Sequence, residues 1–149
     1  HTNDAPSTIT RLQNMGTPDY LISAAVTLIL AQRLARKTCP NCRVPDEDIT
    51  PKALADFGFT VEQASRAKVQ KGGGCSQCKD SGYKGRMGIY EILSVSKPIK
   101  EAILRKATTP ELKEIAMKEG FRTMQDMGRE LILTGDLNFR EFDRVLSSE

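Results

Sequence analysis

Cys39-Pro40-Asn41-Cys42 and Cys75-Ser76-Gln77-Cys78 contain all four cysteines of the chain. Two residues between the members of a pair let both thiolates point inward from one tight turn. Two such turns facing each other supply four ligands in the tetrahedron that zinc prefers. The expected feature is a structural zinc site on Cys39, Cys42, Cys75 and Cys78. The intervening residues 43–74 number 32, against the roughly 15–20 of the simplest paired-cysteine zinc pattern, so a small subdomain must lie between the turns. Pro40 stiffens the first turn by fixing its own φ, and Gly82 relaxes the chain after the second. Two disulfides, or a redox pair of the thioredoxin kind, would use the same residues. Disulfides require an oxidising compartment, for which no signal-peptide pattern is visible, and a redox motif needs only one pair.

Working outward, Thr50-Pro51 opens a short helix that Gly58 breaks, and Thr60 caps another over about 61–68. This inserted pair fills the long spacer, and Gly72-Gly73-Gly74 leads into Cys75. Upstream, Asp4 or Ser7 can cap a helix over 7–15 that Gly16 terminates. Thr17 as N-cap and Pro18 in the first turn then predict a long helix from 19 to about 36. Leu21, Ile22, Ala25, Val26, Leu28, Ile29, Leu30 and Leu34 occupy nearly every side of it, which predicts burial all round. Downstream, a turn leads into alternating β-formers from Arg86 to Leu93, a strand. Helices are predicted over 97–105, over 110–119 behind Thr109, over 123–134 and over 138–147. The predicted fold class is mostly α with a small β element, an α+β chain. Its predicted parts are 1–36 (two helices), 37–84 (zinc-binding, with the inserted helices) and 85–149 (a strand and a helical bundle).

The chain has 22 Lys plus Arg against 19 Asp plus Glu, and a net charge of +3 is too mild to imply nucleic acid. Lys37, Arg43, Lys79, Lys84 and Arg86 nonetheless crowd the two cysteine turns and sustain an alternative, a zinc-ribbon nucleic-acid module. Against it, Tyr83 is the only aromatic residue beside those turns, and single-strand binders use several stacking platforms. The most apolar stretch, 21–35, is interrupted by Ser23, Thr27, Gln32 and Arg33, short of the roughly 18 apolar residues of a membrane span. The chain opens on His1 without an initiating Met, which suggests a fragment.

Several motifs in order resemble one family. They are His-Thr-Asn-Asp-Ala at 1–5, Ile-Thr-Arg-Leu-x-Asn-Met-Gly at 9–16, Ala-Gln-Arg-Leu at 31–34, Cys-Pro-x-Cys at 39–42, and Cys-x-x-Cys-x-x-x-Gly-Tyr-x-Gly-Arg-x-Gly-Ile-Tyr-Glu at 75–91. Together they resemble the C-terminal portion of the assembly ATPases of type IV pili and the related type II secretion ATPases, closely to residue 93 and more loosely after it. Met127 separates Asp126 from Gly128 where many members have Asp-Gly directly.

The resemblance implies the helical end of a RecA-like ATPase core carrying a zinc subdomain. The whole would be a hexameric cytoplasmic motor, peripheral to the inner membrane, that acts on an inner-membrane platform protein and uses ATP and magnesium. No Gly-x-x-x-x-Gly-Lys-Ser or Thr occurs, so this segment is not expected to hydrolyse ATP. His1 matches the final histidine of the family's histidine box, near the γ-phosphate; a tag remnant is the alternative, and the Thr-Asn-Asp-Ala that follows favours a native residue. Arg86 matches the arginine of the Gly-Tyr-x-Gly-Arg element, placed near nucleotide or a neighbouring subunit, and a guanidinium on a glycine-bounded turn suits either. Arg11 matches an interface arginine. The plain alternative for both arginines is a solvated surface charge. Tyr83 and Tyr90 read as packing residues. Four thiolates leave no open position on the metal, so its role is structural.

Overall fold

The computed structural model describes residues 2–146. In chain order the elements are α1 (Ala5–Asn14), α2 (Asp19–Ala25), β1 (Leu28–Thr38), β2 (Arg43–Pro45), α3 (Pro51–Asp56), α4 (Val61–Arg66), β3 (Gln70–Gly72), β4 (Tyr83–Ser94), α5 (Lys97–Leu104), α6 (Thr109–Lys118), α7 (Met124–Leu133) and α8 (Phe139–Leu146). The α+β class is as expected. β1 pairs with β4, and β2 with β3. The chain divides into two units, one running to Gln32 and from Tyr90 to Met124, the other from Arg33 to Ile89 and from Gln125 onward.

The predicted helix from 19 to 36 is corrected. α2 ends at Ala25, and the chain leaves it extended at Val26 (ψ 122°). Val26 and Thr27 are β-branched, and the Thr27 carbonyl accepts from Val95 N–H at 2.9 Å, which starts a ladder with β4. Burial along β1 alternates: Ile29, Ala31 and Ala35 are buried, while Leu28, Leu30 and Leu34 are about half exposed. A helix buried on every side is therefore not what this apolar run forms. The cap was also misplaced, since Pro18 stands at the N-cap of α2 without a side-chain hydrogen bond.

In the first unit, Asp4 caps α1 by accepting from Ser7 N–H at 2.7 Å, and Gly16 follows at φ +86°. Thr108, not Thr109, caps α6, with Glu111 accepting from Thr108 N–H at 2.7 Å. Ile9, Ile22, Leu93, Ile99, Ile103 and Leu112 form its core, each at most 1% exposed. Burying each contributes about 1.5–3 kcal/mol. Glu91 of β4 is buried beside them. Its carboxylate accepts from Ala5 N–H at the start of α1 and from Met124 N–H at 3.0 Å at the start of α7. Burial lifts its pKa above the ordinary value, and the two amide donors oppose that.

In the second unit, Phe57 meets Phe139 edge-on with centroids 4.6 Å apart, and Phe142 packs beside them. Gly128 of α7 lets that cluster close: a Cβ there would lie 2.6 Å from the Phe142 ring. Thr50 and Thr60 cap α3 and α4 as expected, the latter in a reciprocal box with Gln63. Asn138 caps α8 by accepting from Glu141 N–H at 2.8 Å.

Candidate metal centre

β1 delivers Cys39 into the first turn, where Cys39 N–H donates to Gly82 O at 2.9 Å. Residues Pro40–Cys42 make one 3-10 turn, and β2 then pairs antiparallel with β3 in the register Arg43↔Gly72, Val44↔Lys71, Pro45↔Gln70. That ribbon, which sequence reasoning missed, closes the long spacer and brings Gly73 N–H to Cys42 O at 2.8 Å. Its strands are three residues each, too short for a periodicity signal. The second turn, Ser76–Cys78, exits through Lys79 and Asp80, both left-handed at φ 52° and 60°. Backbone crosses backbone at one point: a Cβ on Gly72 would lie 2.0 Å from Gly82 O. Glycine is required there.

These turns bring all four sulfurs within 4.8 Å of one another. Cys39 and Cys75 Sγ are 3.9 Å apart, Cys42 and Cys78 3.8 Å, and Cys75 and Cys78 3.7 Å. Four sulfurs at the usual zinc bond length of about 2.3 Å in a tetrahedron stand about 3.8 Å apart. The residues fit a metal of that size, and all four are free cysteines.

The surroundings prepare the sulfurs for negative charge. Asn41 donates its amide to Cys75 Sγ at 3.3 Å, and chiefly this holds the Cys75 thiol down to about 6. Cys78 Sγ accepts from Cys75 N–H and Gly82 N–H, both at 3.3 Å, and these outweigh burial to lower its pKa. Burial pushes Cys42 up to about 12, with the Gly74 amide opposing. Cys42 is thus shifted opposite to Cys75 and Cys78, and a divalent metal bound here would remove the conflict by taking the sulfurs as thiolates. Asn41 lies inside the first Cys-x-x-Cys, and its position there was the one signal that could have marked it.

His1 lies outside the described residues. Arg11 is exposed on α1 and lines a cavity of about 330 Å³ with Thr10 and Thr109, whose hydroxyls are 2.7 Å apart. Arg86 is exposed on β4. Tyr83 serves packing, as expected: its ring lies 4.1 Å under the Arg36 guanidinium, and its hydroxyl accepts from Asn138 Nδ2 at 2.9 Å.

Residues 1–144 match the family model described as "Type II/IV secretion system protein". The chain belongs to that family. Among its relatives is "Type IV pilus assembly ATPase PilB" of Myxococcus xanthus, 38% identical over 141 residues, covering 95% of this chain and 25% of the relative. A protein of the same name from Thermus thermophilus is 40% identical over 144 residues, covering 95% of this chain and 16% of the relative. "Type II secretion system protein E" of Klebsiella pneumoniae is 34% identical over 145 residues, covering 97% of this chain and 28% of the relative. The chain thus spans about a quarter or less of the length of the first two relatives. Among the described residues no helix is long and apolar enough to cross a membrane.

Proposed function

We propose that the chain is the C-terminal region of a hexameric motor ATPase that powers type IV pilus assembly or type II secretion, and that residues 37–84 form its zinc module. The family membership and the relatives' names support the motor reading. The observation that carries the metal is the 3.7–3.9 Å spacing of the sulfurs. Four thiolates fill the tetrahedron and leave no position for water, so the zinc holds structure and performs no hydrolysis. In this reading residues 1–36 end a RecA-like core, and 85–149 follow the zinc module. ATP and magnesium act in the full-length protein, and the 149-residue segment alone is inactive. His1, Arg11 and Arg86 stand near nucleotide or at a subunit boundary. The partners are further copies of the protein and an inner-membrane platform protein, met from the cytoplasmic side, with no nucleic acid required.

The test is ATP hydrolysis by the full-length protein carrying Arg86→Ala. Losing a charged contact in the reaction of about 1.5–3 kcal/mol lowers turnover at least about tenfold, with metal content unchanged. Unchanged turnover, or hydrolysis by the 149-residue segment alone, contradicts the reading. A salt-sensitive mobility shift with single-stranded DNA or RNA favours the nucleic-acid module instead.

A further inference from the structure

Arg36 of β1, Arg86 of β4 and Arg144 of α8 line one cleft of about 470 Å³, together with Leu34 and Ala35. Three guanidinium groups so placed repel one another unless something negative holds them. The carboxylate of Glu141, fully buried, does so for two. It accepts from Arg36 Nε and Nη2 at 3.1 and 2.8 Å, and from Arg144 Nε at 3.0 Å and Nη2. Both arginines give Glu141 the Nε–Nη2 edge, and the Nη1 donors of each are left available among the described residues. Both side chains stay about half exposed, 47% for Arg36 and 56% for Arg144. The ring of Tyr83 beneath Arg36 fixes the plane of that guanidinium further. Arg86 is exposed, and its side chain has no ion pair or hydrogen bond among the described residues. Three positive charges face one negative, so the cleft holds two in excess.

We propose that this cleft binds a phosphate monoester, whose terminal phosphate sits between Arg86 and the pair clamped by Glu141. The excess charge matches the roughly −1.5 to −2 that such a group carries near neutral pH, and its three oxygens accept from more than one guanidinium at once. A lone carboxylate matches neither the charge nor the number of donors. The volume falls in the range of roughly 300–1,000 Å³ common for small-molecule sites. Glu141 is the positioning residue: it touches the arginines and not the ligand. The proposal deepens the nucleotide-or-subunit contact given to Arg86 above and rests on that part of the reading alone, needing neither the metal nor a P-loop.

The phosphate can be free in solution or displayed on a lipid headgroup, and two arms separate these sources. In one, inorganic phosphate is titrated calorimetrically into the chain, against chloride at equal ionic strength. In the other, the chain is sedimented with phosphatidylcholine vesicles with and without phosphatidic acid. The expected result is saturable phosphate binding, weakened about tenfold by Arg86→Gln and by Arg144→Gln and only partly rescued by Arg86→Lys, which keeps the charge and loses the fork. Arg86→Gln breaks no contact in the fold, so its circular dichroism and melting should match the parent and keep the test readable if Arg144→Gln unfolds. Sedimentation that depends on phosphatidic acid and on Arg86 assigns the headgroup as source; phosphate binding without it assigns a soluble one. Neither form of binding, or binding that Arg86→Gln leaves unchanged, overturns the proposal. If Arg86→Gln abolishes phosphate binding while ATP hydrolysis by the full-length protein is untouched, the cleft stands and the motor role of Arg86 falls.

Discussion

The helices of the first unit and the segment 39–82 of the second are held by different chemistry. In the first unit, Ile9, Ile22, Ile99, Ile103 and Leu112 are at most 1% exposed, and helices α1, α2, α5 and α6 present them. Between 39 and 82 the buried apolar side chains Leu54, Phe59, Ala64 and Val69 belong to α3, α4 and their flanks, while the two cysteine turns meet through sulfur, a three-residue ribbon and a glycine crossing. A two-stranded ribbon of this length is not stable by itself in water. The lesson is that an apolar core loses stability in graded steps, whereas a four-ligand centre is complete or gone.

Cys39→Ser attacks the comparison at its strongest point. Structural zinc in small domains is worth about 10–16 kcal/mol near pH 7, and three ligands hold it far less well. The expected outcome by hydrogen exchange is loss of metal and of amide protection at 43–45 and 70–72, with Ile99 and Ile103 still protected. Ile103→Ala is the converse experiment. It should cost about 2–5 kcal/mol in denaturant unfolding and leave the metal content unchanged.

An acid titration sharpens the comparison within the second unit. Glu141 is buried, which alone would raise its pKa, but the guanidinium groups of Arg144 and Arg36 and the Arg36 amide bring it down to about 2. A carboxyl depressed on folding contributes stability that is complete above its ordinary pKa near 4.5 and is lost as pH falls through about 2. The contribution is about 3 kcal/mol. It should appear as the difference between the parent and Glu141→Gln in unfolding at pH 5 to 2, because metal release in acid is common to both. The smallest effect belongs to Asn41→Ala. Without the amide on its sulfur the Cys75 thiol rises from about 6, and metal affinity measured by chelator competition should fall about tenfold with the fold intact.

Legibility followed the same division. The cysteine spacing alone indicated which four sulfurs come together, because two-residue intervals constrain geometry locally. Thr50, Thr60 and Gly16 marked helix ends correctly, since caps and left-handed terminators act within one turn. Residues 28–38 were misread because Leu, Ala and Arg favour helix, and the strand exists through pairing with β4, more than forty residues away in sequence. Apolar residues on both faces of β1 also hid the alternation that burial reveals. The clamp of Glu141 on Arg36 and Arg144 was invisible for a related reason: two of its members are 105 positions apart, and nothing local distinguishes a buried carboxylate from a solvated one.

Metal content by elemental analysis, on protein purified without added metal and paired with thermal unfolding in the presence and absence of a strong chelator, tests the central claim most directly. One zinc per chain, with unfolding brought to lower temperature by chelation, is the result this geometry requires. A folded chain without metal, whose four cysteines titrate as thiols and close reversibly to disulfides, would contradict it and make the paired turns a redox device.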